Sequence, residues 1–397
     1  MSTINRFFSA TLLSCSLLGG VAVAADSSSD DKDTSRSSPT DYRRLLTVPV
    51  PGNPLAVFDI SYVDHRLPLY YLADRSNAAL DIIETAHNKF LTRVGGFVGV
   101  RNGANGLPST AVSGPNGVQP VGVGEVWVGD GDSSVKVIDL FTQKIVDVIS
   151  TIRTDEPGHT ADTDKRADEM TYDPRDHILV AANNAATPPF VTFISTLPGN
   201  HQVLKQIVFS DYAGVEQPAY SPRTRKFYIN LTATNADPNI GGIAVVDPKS
   251  LAVERIFPLT NCNPAGLAVG ARLDLLVGCS LTDSSQIISS ADGSVETDIP
   301  QVAGSDQVWY NRGDHHYYLA ARNNAASKGG PSLGIIDARG NSFIANVPTD
   351  ASAHSVAADA RTGLVYVPLG PIPDDPDCQS GCIGVYGPSS ESRIAER

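Results

Sequence analysis

The stretch from Ser134 to Ile149, Ser-Val-Lys-Val-Ile-Asp-Leu-Phe-Thr-Gln-Lys-Ile-Val-Asp-Val-Ile, alternates apolar and polar residues on either side of a short polar turn. Alternation with a period of two is strand patterning, and the tight connection makes the pair a hairpin. The first half ends in two β-branched residues and an acid, Val137-Ile138-Asp139. The same ending recurs as Ile82-Ile83-Glu84, Val245-Val246-Asp247 and Ile335-Ile336-Asp337. A second hairpin lies upstream of each. Gln217-Pro-Ala-Tyr-Ser-Pro-Arg-Thr-Arg-Lys-Phe-Tyr-Ile-Asn230 gives its form, which recurs at 169–182, 264–279, 307–320 and 355–367. Four strands per unit at spacings of roughly 45–60 residues mark the blades of a β-propeller.

Aligning the units places one polar residue just before each inner strand: Asn53, Asn116, Asp168, Glu216, Asn263, Asp306 and His354. Seven such positions predict an all-β, seven-bladed propeller with four-stranded blades over residues 45–390. The last unit has only three strands before the chain ends. The strand Leu45-Leu-Thr-Val-Pro-Val50 is the missing fourth, so the N-terminal end closes the ring and removes exposed sheet edges.

Composition agrees with this reading. The 397 residues include 34 Gly and 27 Pro but only 2 Met, which argues against a helical bundle. A net charge of −13 argues against nucleic-acid and anionic-membrane partners, which require concentrated positive charge. Residues 1–24 read as an export signal. Arg6 precedes a short apolar run, and Ala22-Val23-Ala24 fits the small-x-small cleavage rule. An uncleaved anchor is the alternative, but the run is broken by Ser and Gly. Residues 25–44, rich in Ser and Asp, read as a disordered leader, and 391–397 as a tail. The expected location is periplasmic or secreted, without membrane insertion. A monomer is favoured, and the oligomeric state is open.

Cleavage would leave Cys262, Cys279, Cys378 and Cys382, an even number in an exported chain. The repeat places Cys262 and Cys279 at the same end of one blade, and Cys378 and Cys382 in one long loop. The pairings Cys262–Cys279 and Cys378–Cys382 follow. Zinc binding is the weaker alternative, because no matching second pair or nearby His accompanies Cys-x3-Cys.

The Ser134–Ile149 phrase and Thr47-Val-Pro-Val-Pro-Gly-Asn-Pro54 resemble the YVTN-type β-propeller repeat, over nearly the whole chain from Leu45 to Tyr386. The polar position before the inner strand is also similar to that of gluconolactonase-type (senescence-marker) propellers. In that family a Glu, two Asn and an Asp from different blades hold a divalent cation. The resemblance implies metal ligands at Asn116 and Asp306, with Glu216 and Asn263 at the same kind of position. Asn53 departs from the family, which has a Glu there. Read from the residues alone, carboxylates meeting at a channel mouth raise one another's pKa or recruit a cation. Asp168 joins the expected ligand set on that ground. Oxygen donors suit Ca²⁺, Mg²⁺ or Mn²⁺, and the lone His leaves Zn²⁺ open. A water-filled polar channel is the plain alternative.

His354 is the expected proton-transfer group, with Glu169 as an alternative base. Arg75 and Arg322 begin loops at the same face and could hold a substrate carboxylate, with Asn53 beside them. Two functions follow from the sequence. One is a metal-assisted hydrolase or lyase, lactonase-like, acting on a small organic substrate. The other is a non-catalytic propeller that binds a protein or glycan partner.

Overall fold

In the computed structural model the described residues are 42–280, 283–325 and 330–389. The expected signal segment, most of the leader and the tail lie outside them. The described chain forms 28 strands in seven four-stranded antiparallel sheets. In the first six sheets the strands run in chain order from the inner edge outward. Ser61–Val63 opens blade 1, Val118–Val121 blade 2, Met170–Asp173 blade 3 and Val215–Ser221 blade 4. Pro264–Val269 opens blade 5 and Val308–Asn311 blade 6.

Blade 7 runs Ala357–Ala358, Val365–Leu369 and Cys382–Pro388, and its outer strand is Tyr42–Pro49 from the other end of the chain. The strand starts at Tyr42, three residues inside the stretch read as leader. Arg44 is held there by an ion pair with Asp375. The apolar core is divided among clusters lying between neighbouring blades. Leu72, Ile335, Val356 and Val385 share one cluster that spans the closure.

The doubled β-branched residues that define the repeat have a structural counterpart. Between Ile82 and Ile83 the pairing with the outer strand skips a residue, and Leu91 bulges. The same shift falls between Val137 and Ile138, Phe193 and Ile194, Val245 and Val246, Ile287 and Ile288, and Ile335 and Ile336. In blade 7 it falls opposite Val385 and Tyr386, with Leu45 as the extra residue. A bulge bends the strand and increases its twist. The N-terminal strand therefore carries the local feature of an outer strand, as closure requires. Bulging also explains why Leu91, Val146 and Leu204 are exposed apolar residues on otherwise packed blades.

Both expected disulfides are present. Cys262–Cys279 joins the entry of blade 5 to its second strand, and Cys378–Cys382 closes the loop before the third strand of blade 7.

Candidate functional site at the channel mouth

Strand pairing fixes which residues are equivalent between blades. Ser61 faces Leu72, Val118 faces Val128, Met170 faces Ala181, Pro218 faces Ile229, Leu267 faces Val277 and Val308 faces Leu319. Two residues earlier along the chain in each blade lie Asp59, Asn116, Asp168, Glu216, Ala265 and Asp306. Extending the pairing of Ala357 with Tyr366 adds His354 in blade 7. Backbone bonds repeat with this register. Asp59, Asn116, Asp168 and Asp306 each donate N–H to the second strand, at Ala73, Gly129, Ala182 and Ala320, over 2.7–3.0 Å.

Five of the seven expected positions therefore belong to the ring, and two lie elsewhere. In blade 1 the ring residue is Asp59. Asn53 sits six residues earlier in an exposed turn, where its N–H donates to Asn77 Oδ1 and its Nδ2 to the Ser76 carbonyl. In blade 5 the ring residue is Ala265. An irregularity between Pro264 and Gly266 adds a residue to the inner strand, which leaves Asn263 too early. Asn263 instead lines a second cavity beside Cys262, and its Oδ1 accepts from Ala233 N–H.

The mouth encloses a cavity of about 340 Å³ lined by Phe58, Asp59, Arg75, Arg166, Asp168, Glu169, Glu216, Asp306, Arg322 and His354, among others. Arginines pair with most of its acids. Arg75, 3% exposed, pairs with Asp59 and donates through Nε and Nη2 to Asn116 Oδ1 at 2.9 and 2.6 Å. Arg166 Nε lies 2.7 Å from Asp168 Oδ2 and donates to Asn184 Oδ1 at 3.0 Å, and Nη1 donates to the Thr110 carbonyl. Arg322 Nη2 lies 2.8 Å from Asp306 Oδ2. Asn116 is buried within these contacts and donates to the Ala167 carbonyl.

His354 is engaged on both sides. Nδ1 is 2.6 Å from the Ser352 carbonyl oxygen, which can only accept, so Nδ1 carries a proton. Nε2 lies 3.3 Å from Asp59 Oδ1, and the ring stacks on Phe58 with 4.9 Å between centroids.

The next level of the ring holds Gly117, Glu169, Gln217, Gly266 and Gln307. A Cβ on Gly117 would fall 2.0 Å from the Asp168 carbonyl oxygen, and one on Gly266 2.3 Å from that of Asp306. Each glycine thus makes room for the ring residue of the following blade. The glutamines lace blades together. Gln217 Oε1 accepts from Leu267 and Val308 N–H. Gln307 Oε1 accepts from Ser355 Oγ and Val356 N–H, and its Nε2 reaches the Ser61 carbonyl.

Leu267 and Val356 occupy one register position, in the blade following each glutamine. After Glu169 that position is Pro218, which has no N–H to give. Glu169 Oε1 is accordingly buried without a hydrogen-bond partner among the described residues.

This environment sets the charge states. Burial, followed by the negative charges of Glu216, Asp168 and Asp306, raises Glu169 well above the ordinary range. Burial and the charges of Asp168 and Asp306 push Glu216 up to about 8. Burial, only partly offset by Arg166, brings Asp168 to about 6. For Asp59 burial is outweighed by the Arg75 guanidinium, aided by His354, and its carboxyl is held well below the ordinary range. The mouth therefore combines arginine-paired aspartates with two acids, Glu169 and Glu216, whose neutral forms are favoured by burial and like charge.

The donor set does not fit a divalent cation. Asp59, Asp168 and Asp306 each pair with a guanidinium, so the carboxylates a metal would need are already engaged. Among the described residues, no group of three or more His, Cys, Asp or Glu side chains is arranged to hold a metal. Sequence reasoning missed Asp59 and Arg166, and with them the ion pairs Arg75–Asp59 and Arg166–Asp168. Arg166 precedes Asp168 in Lys165-Arg-Ala-Asp168, a spacing that could have suggested the pair.

No protein-family profile matches the chain, and no curated protein matches it. Among solved structures it is similar to a chain in the crystal structure of the mitotic checkpoint complex. The TM-score is 0.60 and the identity 12%, covering 93% of this chain and 98% of that one. At that identity the likeness carries the fold alone: this chain is a seven-bladed β-propeller.

Proposed function

We propose that the channel mouth is an acid–base site for a small polar organic substrate, working as a hydrolase or lyase without a resident metal. The observation that carries this reading is Glu169. It occupies a register position where Gln217 and Gln307 have structural work, yet it has no lacing partner and lines the cavity. A neutral buried carboxyl is a proton donor, suited to protonating a carbonyl or leaving-group oxygen. Asp168 is the base that takes a proton from water. Arg322 pairs with Asp306 and stays partly exposed, so it holds a substrate oxygen or carboxylate. His354, engaged at both nitrogens, positions Asp59 and Phe58. The similarity of the ring position to gluconolactonase-type propellers supports a small-molecule site at this mouth, with lactones and esters as first substrates to try.

The test is turnover of a panel of lactones and esters by the wild type and by Glu169→Gln. The amide preserves shape and removes the proton. The reading predicts a folded variant with turnover reduced by about 10²-fold or more. Saturable ligand binding without turnover, unchanged in the variant, would support the binding-propeller alternative instead.

A further inference from the structure

Carboxylates from four blades converge on one side chain that belongs to none of the strands. Asp59 of blade 1, Asp168 of blade 3, Glu216 of blade 4 and Asp306 of blade 6 all line the mouth with Arg166. Arg166 lies in the connection between blades 2 and 3, just after the short helix Ala161–Asp164. Its backbone N–H is fastened to the Ala111 carbonyl at 3.0 Å. Its guanidinium is held at two nitrogens: Nε lies against Asp168 Oδ2 and donates to Asn184 Oδ1, and Nη1 donates to the Thr110 carbonyl oxygen. Asn184 in turn reaches both carboxyl oxygens of Glu216 at 3.4 Å. The guanidinium is thus tied directly to one acid and through an amide to a second.

We infer that the Arg166 guanidinium is a built-in cation of the channel mouth, standing where a divalent metal would otherwise bridge Asp168 and, through Asn184, Glu216. Guanidinium stays charged at every accessible pH and is more weakly hydrated than a metal ion, so it can occupy a buried ring permanently. The charges of Asp168, Asp59, Glu216 and Asp306 all favour its protonated form, against the cost of burial. Two consequences follow. The wild-type mouth rejects divalent cations, and loss of the Arg166 charge leaves the Asp168 carboxylate without its partner, beside Glu216 as a second oxygen ligand that a metal would deprotonate. The inference holds whether or not the site turns over a substrate.

The experiment is isothermal calorimetry of Ca²⁺, Mg²⁺, Mn²⁺ and Zn²⁺ chlorides against the wild type, Arg166→Lys, Arg166→Met and Arg166→Gln. Circular dichroism checks folding with and without metal. The wild type and Arg166→Lys are expected to show no stoichiometric site. Arg166→Met and Arg166→Gln gain one site per chain, at least tenfold tighter than any binding by the wild type. If these variants unfold without metal, metal restores them. A stoichiometric divalent site in the wild type would overturn the inference. So would folded Met and Gln variants that bind no metal, or unfolding of both that no metal reverses.

Discussion

Arg75→Met tests the electrostatic architecture of the mouth in its most buried pair. The Arg75 and Asp59 side chains are 3% and 9% exposed, and Arg75 also supplies both bonds to Asn116 Oδ1. Methionine keeps much of the stem and removes the charge, leaving Asp59 buried without its ion-pair partner, with His354 Nε2 beside it and Arg166 acting only at longer range. Breaking a buried pair from one side costs about 3–5 kcal/mol. With an unfolding entropy of about 2.1 cal/mol/K per residue over about 350 ordered residues, that corresponds to a fall in Tm of about 4–7 °C. Calorimetry at neutral pH reads this directly.

The pH dependence gives a second, independent signature. The folded-state pKa of Asp59 is depressed, so the pair's contribution is complete above the unfolded value of about 4 and is lost as pH falls toward the folded one. In Arg75→Met the deficit should therefore be largest at neutral pH and shrink as pH drops through about 4. The double variant Arg75→Met/Asp59→Asn removes the stranded charge and should recover part of the loss. A fall in Tm below about 1 °C, or a double variant no better than the single one, would refute the reasoning.

Three further outcomes are expected. In blade 1, burial pushes Asp81 up to about 7 beside Asp74 and Arg93. A raised folded-state pKa means stability is lost as pH rises from about 4 through 7, so Asp81→Asn should gain in Tm relative to wild type between pH 5 and pH 8. Cys262→Ala/Cys279→Ala opens a loop with a sequence separation of 17 and should cost about 3 kcal/mol in denaturant unfolding, with reductant changing the wild type in the same direction. A chain beginning at Pro51 lacks the strand that covers the Cys382–Pro388 edge. It should lose cooperative unfolding and regain it when a peptide of residues 42–50 is added.

The repeat was legible because strands announce themselves by alternation. The doubled β-branched residues marked both the third strands and, as the structure adds, the bulge facing each of them. Closure was legible for the same reason: blade 7 lacked a strand and the N-terminal end had one to spare. The ring was read less well where the chain departs from its own spacing. Asn53 and Asn263 precede their inner strands in sequence, but Asp59 and Ala265 occupy the ring. Irregular pairing shifts register without leaving a residue-type signal.

The arginine partners of the ring acids were hidden for a different reason. Carboxylates in a ring are visible in a sequence, while the guanidiniums that neutralise them arrive from loops and strand ends in other parts of the chain. Glu169 lacks the lacing partner of its glutamine counterparts because Pro218, 49 positions away, has no N–H to give. That is a three-dimensional relation, and one sequence does not display it.

The protonation of Glu169 is the claim on which the rest turns, and difference infrared spectroscopy of wild type against Glu169→Gln measures it at the carboxyl itself. The account predicts a protonated-carboxyl C=O band at neutral pH that vanishes in the variant and persists when the wild type is titrated well above the ordinary glutamate range. A carboxylate signal for Glu169 at pH 7 would contradict it.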